Sequence, residues 1–127
     1  MFLHCNIVAR RAAILVLVAA LAGPAAAAEQ AYLREVEDMP LPAGLVEDSA
    51  AGVSFDKPEG RIVEAVATGR GTGPQVVAFY RQALPELGWR AVGSPQALSW
   101  RREGESLWLE VAESGPIVTV RFHIAPR

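Results

Sequence analysis

The chain is predicted to be α+β, a single helix packed on a mostly antiparallel sheet, and three observations predict it. Residues 72–89 are the one stretch beyond the amino terminus with helical periodicity. Around them lie β-branched and apolar runs broken by polar, glycine-bearing turns. The breaks between the last three runs have hairpin length, which makes those runs a meander. The expected order is β-β-α-β-β-β-β, with the helix covering one face of the sheet.

The first element is an address. Arg10 and Arg11 precede an apolar run from Ala12 to Ala22, and Gly23-Pro24 breaks any helix before four alanines, so residues 1–28 are predicted to be a signal peptide cleaved after Ala28. An uncleaved anchor is the alternative, but the run is short of the roughly 20 residues that a span needs. The surroundings of Arg10-Arg11 are not those of a twin-arginine signal, so the general secretory route and a periplasmic or secreted product are expected. Cys5 lies before the apolar run, whereas a lipoprotein's acylated cysteine follows it, so no stable membrane anchor is expected after cleavage. The remaining 99 residues contain no cysteine, which excludes disulfides, thiolate metal sites and a catalytic thiol. They hold 10 basic and 14 acidic residues without a basic stripe, which argues against nucleic acid. No cofactor is expected, and the oligomeric state is left open.

Residues 29–48 read as a poorly ordered leader and a proline strap, ahead of an α+β domain over 49–127. Glu29 to Asp38 is charged, and weak order or one helical turn around Tyr32, Leu33 and Val36 is expected. Pro40 and Pro42 forbid a helix in the strap, whose Met39, Leu41 and Leu45 should tuck against the domain. Residues 53–55 and 61–68 form a hairpin across Asp56-Lys57-Pro58-Glu59-Gly60. The following Gly69-Arg70-Gly71-Thr72-Gly73 invites comparison with a phosphate cradle. It lacks the Lys-Ser/Thr of a P-loop and the spacing of a dinucleotide fold, so it is read as a strand-to-helix turn.

Thr72 or Gly73 should cap the helix and Pro74 suits its first position. Val76, Phe79, Tyr80, Ala83, Leu84 and Leu87 then form the apolar stripe. Pro85 and Gly88 predict a loose last turn, after which Trp89 starts a strand and packs on Leu84 or Leu87. Strands are expected over 89–92, 97–102, 106–112 and 117–124. With Glu103-Gly104 and Ser114-Gly115 as two-residue loops, Trp100 faces Leu107, Leu98 faces Leu109, and Leu107, Leu109 and Val111 face Phe122, Val120 and Val118. Every inward pair is apolar, and a slip of one residue would invert the faces.

The outward face then carries the candidate site: Trp108 directly across from Arg121 and beside Ser99, with Arg101 and His123 flanking Ser106. The group reads either as a cation-π pair on a solvated face, with the strap free to fold over it, or as a recognition surface for an anion or a carbohydrate. His123 is the lone histidine after residue 28, too few for a multi-histidine metal site. Glu110 with Glu113, and Glu103 with Glu105, lie on strands and turns with nothing to place them in a cleft, and no serine sits in a nucleophile elbow. No catalytic or metal-binding residues are assigned.

Phe79-Tyr80-Arg81-Gln82-Ala83-Leu84-Pro85-Glu86-Leu87-Gly88-Trp89 resembles a unit of small exported bacterial proteins and lipoproteins of unassigned function, in which an F-Y-R start and an L-P-x-x-G-W end mark a helix leading into a strand. The resemblance covers 11 residues and implies a signal peptide, one α+β domain and no catalytic residue. The chain departs from the lipoprotein members in lacking their acylated cysteine. The expectation is a non-enzymatic exported accessory or binding domain of the bacterial envelope, with an envelope protein or glycan as partner. The alternatives are a small periplasmic hydrolase or transferase using His123 with Glu110 or a serine, and a hydrolase inhibitor presenting residues 56–60.

Overall fold

The computed structural model describes residues 29–127; the signal peptide expected over 1–28 lies outside the described residues. Eight elements follow in order: β1 (Leu45–Glu47), β2 (Val53–Lys57), β3 (Gly60–Arg70), α1 (Gly73–Glu86), β4 (Arg90–Ala91), β5 (Ser99–Arg102), β6 (Glu105–Ser114) and β7 (Ile117–Pro126). The strands form one antiparallel sheet of order β1-β3-β7-β6-β5-β4, with β2 also paired to β3. The α+β class is therefore as expected, and the strand order gains one member, β1, at its start. That strand forms because Gly44, at φ +89°, turns the strap onto β3, where Leu45 to Glu47 pair with Gly69 to Ala67. The backbones come so close that a Cβ on Gly69 would lie 2.1 Å from the Gly44 carbonyl oxygen. One glycine of the Gly-Arg-Gly-Thr-Gly run is thus required by strand packing.

The helix begins as its sequence dictates. The Thr72 side chain accepts from the Gln75 amide, and the Gln75 side chain accepts from the Thr72 amide at 3.1 Å, a capping box with Pro74 in the first turn. A carboxylate oxygen of Glu113 accepts from the Gly73 amide, so the chain itself supplies the anion at this helix end. Val76, Tyr80 and Leu84 are buried, and Phe79 and Leu87 pack against the core.

The last turn is tight where a loose one was expected. The Trp89 amide donates to the Leu84 carbonyl at 3.0 Å and the Gly88 amide to the Pro85 carbonyl at 3.1 Å, with Gly88 at φ +89°. These are the two bonds of a Schellman termination, which also brings Trp89 onto the core beside Leu84. Pro85 leaves the Arg81 carbonyl without its intrahelical donor, while its own carbonyl accepts from Gly88.

The leader is not weakly ordered. Leu33, Val36, Met39 and Leu41 are all within the core, four fully buried apolar side chains against three from α1. Backbone bonds from Leu33 to Met39 (3.0 Å), Met39 to Val36 (2.9 Å) and Leu41 to Ala31 (2.8 Å) fold the segment on itself. The buried Tyr80 hydroxyl then donates to the Pro40 carbonyl at 2.8 Å and joins the segment to the helix. The charged residues between these apolar positions point outward, which is why averaged composition suggested a mobile tail. Helix and leader lie side by side over one face of the sheet.

The β5–β6 register is as expected, Trp100 facing Leu107. The β6–β7 register is corrected by two residues: Leu107 faces Ile124, Leu109 faces Phe122 and Val111 faces Val120. The turn is Gly115-Pro116, between the paired Ser114 and Ile117, and Gly115 at φ +57° takes the first central position that a hairpin turn of this kind reserves for glycine. An even slip leaves every inward residue inward and changes only its partner across the strand.

A candidate binding face

Among the described residues, no layer covers the second face of the sheet. Val46, Val53, Phe55, Trp108 and Ile117, five of the six exposed large apolar residues, share this face by register. The alternation of each strand puts them there: Leu107 and Leu109 point into the core, so Trp108 between them points out and is 41% exposed. The strap does not cover Trp108, because Tyr80 holds it on the opposite face.

Trp108 stands directly across from His123, and the two rings stack in parallel, 4.6 Å between centroids with 5° between planes. This replaces the expected Trp108–Arg121 pair. The two-residue register shift sets Arg121 across from Glu110, where guanidinium and carboxylate are 3.6 Å apart. Ser99 lies on the other side of Trp108 and Arg101 across from Ser106, both as expected. His123 does not flank Ser106, whose β7 partner is Ala125.

The His123 side chain is only 13% exposed. Its Nδ1 is 3.5 Å from a Glu64 carboxylate oxygen, and its Nε2 is 3.8 Å from one of Glu110 and has no hydrogen-bond partner. Among the described residues, no three His, Cys, Asp or Glu side chains gather closely enough to hold a metal ion. The imidazole fills the space between two acidic residues and fixes one face of the indole. On the other side stands the short Ser99 side chain, and among the described residues His123 is the one ring or cation stacked on the indole, which is 41% exposed.

Two residues of this face escaped the sequence reading. Glu64 is outward because β3 alternates, and the pairing of β3 with β7 brings it to His123. Arg90 follows the buried Trp89 and so points outward, directly across from Arg101. Alternation could have found both side-chain directions, but only the strand pairing sets Glu64 beside His123 and Arg90 beside Arg101. Residues 56–60, the loop considered for an inhibitor, form the tight β2–β3 hairpin in which Lys57 pairs with Gly60. No protein-family model, curated protein or solved structure matches this chain.

Proposed function

We propose that the chain is a non-enzymatic exported binding domain of the bacterial envelope, which captures its partner on the open sheet face around Trp108. The observation that carries this reading is Trp108, an indole 41% exposed and stacked on His123, on a sheet face that no layer covers among the described residues. A solvated antiparallel face ordinarily presents polar residues, and a large exposed aromatic is the kind of side chain that anchors an interaction. Export rests on the signal-peptide pattern of residues 1–28.

Trp108→Ala separates binding from folding. The change should cost about 1 kcal/mol, the loss of one cross-strand aromatic pair, whereas Leu109→Ala, its buried neighbour, should cost about 2–5 kcal/mol through a cavity. Denaturation midpoints measure both, and copurification from the periplasm measures capture. Retained fold with lost capture supports the reading; a Trp108→Ala protein that still captures its partner sinks it.

A second reading has one observation in its favour, the imidazole between two carboxylates, which is a candidate acid–base group. His123→Phe keeps a ring against Trp108 and removes the proton chemistry. A binding face tolerates that change. Loss of the cellular role at unchanged thermal stability would favour a hydrolase or transferase.

A further inference from the structure

Charge is segregated on this molecule. The chain carries a formal net charge of −2, yet the strand residues of the open face include Lys57, Arg70, Arg90, Arg101 and Arg121 against only Glu64 and Glu110. Arg121 is matched by Glu110. Arg90 and Arg101 are not matched: they stand directly opposite each other on β4 and β5, both exposed, and neither forms an ion pair among the described residues. Two like charges directly across a strand pair are unfavourable. An anion lying between two guanidinium groups reverses the sign of that contact, since each presents paired N–H donors to carboxylate or phosphate oxygens.

The free indole face adjoins this pair. Ser99 lies across from Trp108, and Arg101 is two residues from Ser99 on the same strand, a backbone step of about 7 Å that the long arginine side chain can span toward an acidic substituent of a sugar lying on the indole. The negative face of an indole favours the weakly positive C–H face of a pyranose. A lone anion would have no use for the indole, and a neutral apolar partner would leave the two arginines opposed.

We infer that the ligand of this face is an anionic saccharide, its ring stacked on the uncovered side of Trp108 and its acidic group held between Arg90 and Arg101. The inference rests on the open face being the binding surface.

Trp89 and Trp100 are buried, at 1% and 3% exposure, so fluorescence quenching by a bound ligand reports mainly on Trp108. The purified full-chain product is titrated with trigalacturonic acid, with a phosphorylated N-acetylglucosamine disaccharide, with their neutral counterparts (the methyl ester and the unphosphorylated N-acetylated disaccharide), and with inorganic phosphate. At least one acidic sugar should bind. Its neutral counterpart should bind about tenfold weaker or worse, and Arg90→Gln and Arg101→Gln should each weaken the acidic sugar by a similar factor with unchanged circular dichroism, the loss expected for a charge-assisted hydrogen bond. Equal binding of a neutral counterpart, or phosphate binding as tightly and, by isothermal titration calorimetry, unaffected by Trp108→Ala, overturns the inference. Failure of every sugar while a protein is still captured in a Trp108-dependent way overturns it and leaves the binding-face reading standing. Failure of both removes the two together.

Discussion

Tyr80 does two jobs with one side chain. Its ring is buried edge-on against Phe122, 5.7 Å between centroids, and its hydroxyl is the donor that the buried Pro40 carbonyl requires. Burial raises the phenol pKa well above its ordinary value, because the charged form would be stranded in the core. Unfolded tyrosine ionises near pH 10, so with the folded value raised, this contribution to stability is complete below about pH 10 and is lost as pH climbs beyond it. Tyr80→Phe should therefore cost about 1–3 kcal/mol at neutral pH, the penalty of an unpaired carbonyl. It should also flatten the alkaline fall in the urea midpoint. A mutant as stable as the parent at pH 7 would mean that Pro40 is hydrated and the strap is not fastened there.

At the scale of an element, the Leu-Pro-x-x-Gly-Trp unit has a physical content. Leu84 offers the carbonyl, Gly88 the positive φ and Trp89 the returning amide and the apolar lid, so each residue type answers a demand of one helix end. Arg102 completes the corner. Its guanidinium lies 4.3 Å over the Trp89 ring, donates to the Leu87 carbonyl at 3.1 Å and pairs with Asp38 of the leader. A cation is favourable at the negative end of a helix. Gly88→Ala should cost about 1–2 kcal/mol for a side chain at left-handed φ, and Trp89→Ala about 3–5 kcal/mol for the lost buried ring. Thermal denaturation reads both, and an unshifted Trp89→Ala midpoint would contradict its place in the core.

For the whole molecule, the decisive fact is that the helix covers only part of the sheet. The leader supplies the remaining cover. Burying Leu33, Val36, Met39 and Leu41 contributes about 6–12 kcal/mol at 1.5–3 kcal/mol per large apolar side chain, as much as a small domain's entire stability. Removing residues 29–43 should abolish the cooperative thermal transition followed by circular dichroism. A truncated chain that melts cooperatively near the parent midpoint would show that helix and sheet suffice.

The sequence alone determined what depends on near neighbours. The helix with its cap and stripe, the β5–β6 register and the inward or outward sense of each meander strand all follow from residues a few positions apart, where period and turn chemistry act directly. Tertiary structure decided the rest. Whether Ser114-Gly115 or Gly115-Pro116 makes the last hairpin is a choice between two adjacent turns with the same alternation, and the folded chain takes the second, pairing Ser114 with Ile117. The leader's burial depends on a sheet surface that the helix leaves bare, and no local pattern measures that area. The meeting of Glu64 with His123, and so with the far side of the ring that stacks on Trp108, depends on strand order, because these two residues lie more than 50 positions apart in the chain and become neighbours only when β3 pairs with β7.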